Sequence, residues 1–155
     1  MLLHRTRLAY VHLRHLLTDA MRDRAARVYG YVAVWLPEEC LVLYLQAGEL
    51  VNATRTADGV HFTTVALGDA LARVPLQAEF GEICFHEADD EQLAMMYGAQ
   101  TGASIPWPPE LRPWDADAVL AYLHATLADG TLELRVGDGL NYVGVRFGRL
   151  TSGYF

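Results

Sequence analysis

Six histidines and two cysteines are the side chains in this chain best able to hold a metal or act as nucleophiles. His12 and His15 stand three apart, which makes them neighbours on a helix, and His4 is the nearest further imidazole. Zinc takes three or four ligands at characteristic spacing, each oriented by further hydrogen bonds. No cysteine accompanies these histidines, so no metal site is expected. His61, His86 and His124 fall on separate elements with no pattern joining them. Cys40 and Cys84 lie in apolar, strand-like runs outside any CxxC pair. They read as small buried hydrophobes of a reducing, cytoplasmic environment.

The acidic pairs suggest no acid–base chemistry either. Glu38-Glu39 sits at a turn and Asp89-Asp90-Glu91 at a helix start. There carboxylates serve solubility and the helix dipole, whereas a catalytic pair needs a pocket that drives the two pKa values apart. The chain contains no GxSxG elbow, no GxxxxGK phosphate loop and no GxGxxG following a strand. Gly137-Asp138-Gly139 is hairpin chemistry. The expectation is a non-enzyme with no catalytic residue and no cofactor.

Charge is unevenly spread. All twelve basic residues are arginine. Residues 1–27 hold six of them against Asp19 and Asp23, a net of +4, while residues 37–100 hold eleven acids against Arg55 and Arg73, a net of −9. A basic front beside an acidic body invites docking of one on the other. With a formal charge of −7 overall, the chain lacks the sustained basic surface of a nucleic-acid binder. No apolar run approaches the ~20 residues of a membrane span, and the arginine-broken N-terminus lacks a signal-peptide core. Neither nucleic-acid binding nor membrane insertion is expected.

These residues need elements to position them. Leu13, Leu16, Leu17, Ala20 and Met21 recur at helical spacing and predict a helix over 6–27. Tyr29–Leu36, Cys40–Gln46 and Leu50–Thr54 follow as strands, turning at Pro37-Glu38-Glu39 and Ala47-Gly48-Glu49. Thr63 or Thr64 is the expected cap of a helix over Val65–Val74, and Glu79–His86 alternates as a half-buried strand. Asp89 and Gln92 have capping-box spacing ahead of a helix over Asp90–Tyr97, ended by Gly98. Proline at 106, 108, 109 and 113 makes residues 99–113 a linker. Asp115 caps a helix over Ala116–Ala128, closed at Asp129-Gly130; strands Thr131–Val136, Leu140–Phe147 and Arg149–Phe155 complete a second meander.

Gly30–Leu50 overlays Gly130–Leu150 without a gap, one hundred residues on, aligning three identities (Gly30, Gly48 and Leu50) and most apolar positions. The expected fold is therefore α+β: antiparallel three-stranded meanders, each preceded by a helix, with two further short helices. The second meander completes or extends a sheet, or pairs with its counterpart in a homodimer. The expected organisation is an α+β unit at 1–98, the Pro/Trp linker at 99–113, and a partial repeat at 114–155.

Residues 8–98 resemble the PATAN domain of bacterial signalling proteins. The resemblance is carried by the leading helix, the strand Gly30-Tyr31-Val32-Ala33-Val34 and the run Leu43-Tyr44-Leu45-Gln46-Ala47-Gly48-Glu49-Leu50-Val51-Asn52-Ala53. The helix Val65–Val74 and the late strand Gly81-Glu82-Ile83-Cys84-Phe85 continue it. It implies a protein-interaction or scaffolding role in signal transduction and supplies no catalytic residues. Trp107 and Trp114 among the prolines, Tyr154 and Phe155 at the end, and Arg14 and Arg22 on the first helix are the candidate partner-binding residues. The alternative is a small-ligand or nucleotide second-messenger sensor, with Arg55, Arg73, Tyr44 and Asn52 available for polar recognition.

Overall fold

The computed structural model describes residues 3–22, 28–75, 80–136 and 139–154. It is a mixed α+β fold of four helices and nine strands, all strand pairs antiparallel, among the described residues. The chain divides into two units, Met1–Leu93 and Ala94–Phe155.

The first unit is built on a six-stranded sheet in the order β1 (Leu3–Arg7), β6 (Glu82–Glu87), β2 (Gly30–Trp35), β3 (Cys40–Gln46), β4 (Glu49–Thr56) and β5 (Thr63–Thr64). Alternation along the strands sends Val32, Val34, Leu41, Leu43, Leu45, Ile83 and Phe85 to one face. There they pack with Leu13 and Leu17 of α1 (Leu13–Arg22) and Ala70 of α2 (Leu67–Arg73) in one core. Ala33, Val42, Tyr44, Thr54 and Cys84 on the opposite face are buried as well. This is why β3 reads as a nearly continuous apolar run.

The front of the chain departs from expectation. Instead of a helix from residue 6, Leu3–Arg7 is a strand, Leu8–Tyr10 a single 3₁₀ turn, and α1 starts at Leu13. The expected end of that helix, 23–27, lies outside the described residues. The cause is tertiary: the free edge of β6 offers a ladder, pairing Leu3 with Phe85, Thr6 with Ile83 and Arg7 with Glu82. The Leu8 N–H continues it to the Gly81 carbonyl at 3.0 Å. Arg5 adds an ion pair to Glu82 and lies 4.4 Å from the Trp35 ring centre. Of the predicted apolar face of α1, Met21 is exposed. Thr63 and Thr64 likewise serve as a strand, pairing with Arg55 and Thr54, and α2 begins after Ala66 with no side-chain cap.

In the second unit, β7 (Gly130–Val136), β8 (Gly139–Arg146) and β9 (Arg149–Tyr154) form a three-stranded sheet of their own. The outward extension of the first meander is supplied by β6 and β1. Val119 and Leu123 of α4 (Ala116–Ala125) pack with Val145 and Leu132 on one face. On the other, Met95 and Gly98 of α3 (Asp90–Thr101) approach Gly144 and Thr131. The Asp89–Gln92 capping box forms at 2.8 and 2.9 Å, and Asp115 caps α4 at 3.1 Å. Gly98 does not end α3, which runs on to Thr101. At the end of α4 it is Leu127 that adopts the left-handed conformation, and Gly130 opens β7. The predicted turn residues Gly137 and Asp138 lie outside the described residues.

The repeat extends to backbone pairing. Gly30 pairs with Leu45 and Trp35 with Cys40; one hundred residues later Gly130 pairs with Val145 and Arg135 with Leu140. Both following hairpins turn through two left-handed residues, Ala47-Gly48 and Phe147-Gly148, as a type I′ turn requires. Both also carry a register shift just before the turn, between Tyr44 and Leu45 and between Val143 and Val145.

Candidate functional site

The docked hairpin lies beside a cavity of the first unit. A Cβ on Gly48 would fall 2.2 Å from the Ala20 carbonyl oxygen, so only glycine lets the turn sit against the C-terminal half of α1. The Gly48 N–H donates to the Val28 carbonyl at 2.7 Å, holding the chain that enters β2. Gly30 is equally restricted: its Cβ would meet the His86 carbonyl at 2.2 Å and the Phe85 ring at 2.8 Å. The absent side chain is what gives the Phe85 ring its place.

Between α1, the Leu3 end of β1, the end of β6 and the start of α3 lies a cleft of about 840 Å³. Its apolar lining, including Leu16, Ala20, Val28, Leu45 and Phe85, continues directly from the core. Four carboxylates also line it: Asp19 from α1, Glu87 from β6, and Asp89 and Asp90 at the start of α3. Asp89 accepts the Gln92 N–H and Asp90 accepts the Gln46 amide at 2.9 Å, so the segment entering α3 is tied to itself and to β3. None of the described lining residues is basic. Chemically the cleft offers an apolar cavity edged by negative charge.

The residues proposed from sequence lie elsewhere. Arg55 and Arg73 converge on Glu39, at 3.6 and 3.1 Å, beside α2. Tyr44 and Asn52 are cross-strand partners on the opposite sheet face, with Tyr44 buried. These four do not form one polar site. Arg14 and Arg22 are exposed on α1. Trp114 is 80% exposed, whereas Trp107 is partly covered by Tyr122, their ring centres 5.9 Å apart. Tyr154 closes β9, and Phe155 lies outside the described residues.

The titratable groups with chemical potential are restrained. The rings of His12 and His15 lie 4.9 Å apart, and no group of three or more metal-binding side chains occurs among the described residues. Burial, reinforced by the neighbouring Cys84, pushes the Cys40 thiol up to about 11; burial also raises Cys84 and Tyr31. These thiols stay protonated and are weak nucleophiles near neutrality. Asp58 is held well below the usual carboxylate range, chiefly by the His61 ring at 2.6 Å and then by the His61 and Val60 backbone N–H groups. Both side chains are exposed, and the pair ties the loop between β4 and β5.

Sequence reasoning missed the cleft because its lining is gathered from Leu3 to Gln92 across five elements. Asp89, which caps α3, and Asp90, which begins it, also line the cleft. No helix among the described residues is long and apolar enough to cross a membrane. Comparison of the chain with protein families, curated proteins and solved structures finds no match.

Proposed function

We infer that this chain is a non-enzymatic binding module of a bacterial signalling system, sensing a small ligand through the cleft of its first unit. The observation that carries this reading is the cleft itself. At about 840 Å³ it falls within the roughly 300–1,000 Å³ of typical ligand sites, with mostly apolar walls and a few polar groups among its lining. The setting in signal transduction rests on the resemblance of residues 8–98 to PATAN domains. The free thiols of Cys40 and Cys84 support a cytoplasmic location. A ligand that binds the folded state alone raises its melting temperature by mass action. Melting scans across a metabolite and nucleotide panel, with hits mapped to the cleft by Leu45→Trp, test the reading. Flat results across the panel would sink it.

A second reading, a protein-interaction or scaffolding module that forms a homodimer, is favoured by a separate observation. β7 and β9 each pair only with β8 among the described residues, and Trp114 stands exposed in the same unit. Single-sided strands recruit further strands, and exposed tryptophan anchors interfaces. Sedimentation of the full chain as a monomer at every concentration would rule out the homodimer. Loss of partner capture in Trp114→Ala would support the interaction reading.

A further inference from the structure

We propose that β7 is the docking edge for a second copy of this chain. Two β7 strands pair antiparallel about a two-fold axis at Leu134, joining two three-stranded sheets into one. The proposal rests on the homodimer reading and adds the surface and register that form the dimer. The first unit shows what this edge accepts. β2, the counterpart of β7, pairs with β3 on one side and along its whole length with β6 on the other. β7 pairs with β8 alone among the described residues. The preceding helix packs on a face of the sheet in both units, not along this edge. β9 is the weaker edge, since its counterpart β4 takes only Thr63 and Thr64 of β5, and Gly153 interrupts it.

What selects a second copy is the self-complementarity of β7. Alternation along the strand gives positions 132, 134 and 136 one face, all apolar, and positions 131, 133 and 135 the other. With Leu134 opposite its own copy, Leu132 falls opposite the partner's Val136, and Glu133 opposite the partner's Arg135. Moving the axis one residue either way sets Glu133 against Glu133 or Arg135 against Arg135. Moving it by half a residue sets leucine against charge. Leu134 is 40% exposed, so pairing covers apolar surface that the single chain leaves wet. Glu133 is exposed, and its pairing selects register more than it supplies affinity.

Sedimentation equilibrium of the full chain and its β7 variants tests the pairing. The wild type is expected to dimerise weakly and reversibly, as suits a single strand edge. Leu134→Lys sets like charges against each other and should raise the dissociation constant about tenfold or more; an unaltered circular dichroism spectrum shows it is folded. Glu133→Arg should also weaken the dimer, and Glu133→Arg/Arg135→Glu should restore it, because the exchanged charges still face their opposites across the axis. Mild oxidation should link Leu134→Cys chains covalently, since facing Cα atoms of an antiparallel pair stand about 4.5–5.5 Å apart, within disulfide reach. Leu150→Cys, on the exposed side of β9, and the wild type with its two free cysteines should stay unlinked. A dimer that survives Leu134→Lys, links through Leu150→Cys, or is not restored by the charge exchange overturns the β7 pairing and leaves the homodimer reading standing. A chain that is monomeric at every concentration overturns both.

Discussion

Gly48 donates its N–H to the Val28 carbonyl at 2.7 Å, and one hundred residues later Gly148 donates to Ala128 at 2.8 Å. In both units a type I′ hairpin is pressed onto the preceding helix through a glycine. A Cβ on Gly148 would lie 2.5 Å from the Leu123 carbonyl oxygen, as one on Gly48 would from Ala20 at 2.2 Å. The repeat is thus a docking motif as well as a strand pattern.

That contact sets the first prediction. Gly48→Ala and Gly148→Ala each combine a positive φ with a backbone clash and should cost about 2–3 kcal/mol. Gly59 also has a positive φ, of 74°, but open space around it, so Gly59→Ala should cost only about 1 kcal/mol. Urea denaturation of the three variants checks the ranking; equal losses would remove the docking role.

Helix caps give opposite signs at two ends. Asp115 accepts the Ala118 N–H, so Asp115→Ala should cost about 1 kcal/mol. Ala66 occupies the N-cap of α2 in extended conformation with no side-chain bond, so Ala66→Asp should gain roughly 0.5–1 kcal/mol. Thermal melts of both variants test this.

Cys40 should make stability fall at alkaline pH. Its folded-state pKa of about 11 lies above the ordinary 9.0, so the folded chain holds the proton more tightly than the unfolded chain. That contribution is whole below pH 9 and is lost as pH rises towards about 11. Cys40→Ser should flatten the decline in this window, and Cys40 should react slowly with a disulfide reagent at pH 8, the rate climbing with pH. Rapid labelling at neutral pH would contradict the buried, protonated thiol.

Arg5 pins the edge strand. Its pairing with Glu82 and its position over the Trp35 ring are both partly exposed, each worth about 0.5–1 kcal/mol. Arg5→Ala should speed hydrogen exchange at Thr6 and Leu8 and leave β8 unchanged. Unaltered exchange in β1 would show that the ladder alone holds it.

Local rules made much of this molecule readable. Turn glycines at 48 and 148, the Asp89–Gln92 box, the Asp115 cap and the apolar, β-branched runs of β2 and β3 are short-range signals, and each formed where expected. The hundred-residue echo was visible because it preserves turn chemistry and strand length together. The first ten residues were not legible in the same way. Leu3–Arg7 has no strong strand pattern and takes that form because β6 presents an open edge, a partner distant in sequence. Thr63 and Thr64 became strand for the same reason, through β4. The cleft is the furthest from linear signals, since an apolar wall and four carboxylates acquire meaning only when α1, β6 and α3 converge. Sequence specifies elements through nearest-neighbour energetics, whereas strand edges and cavities arise from what those elements leave uncovered when they pack.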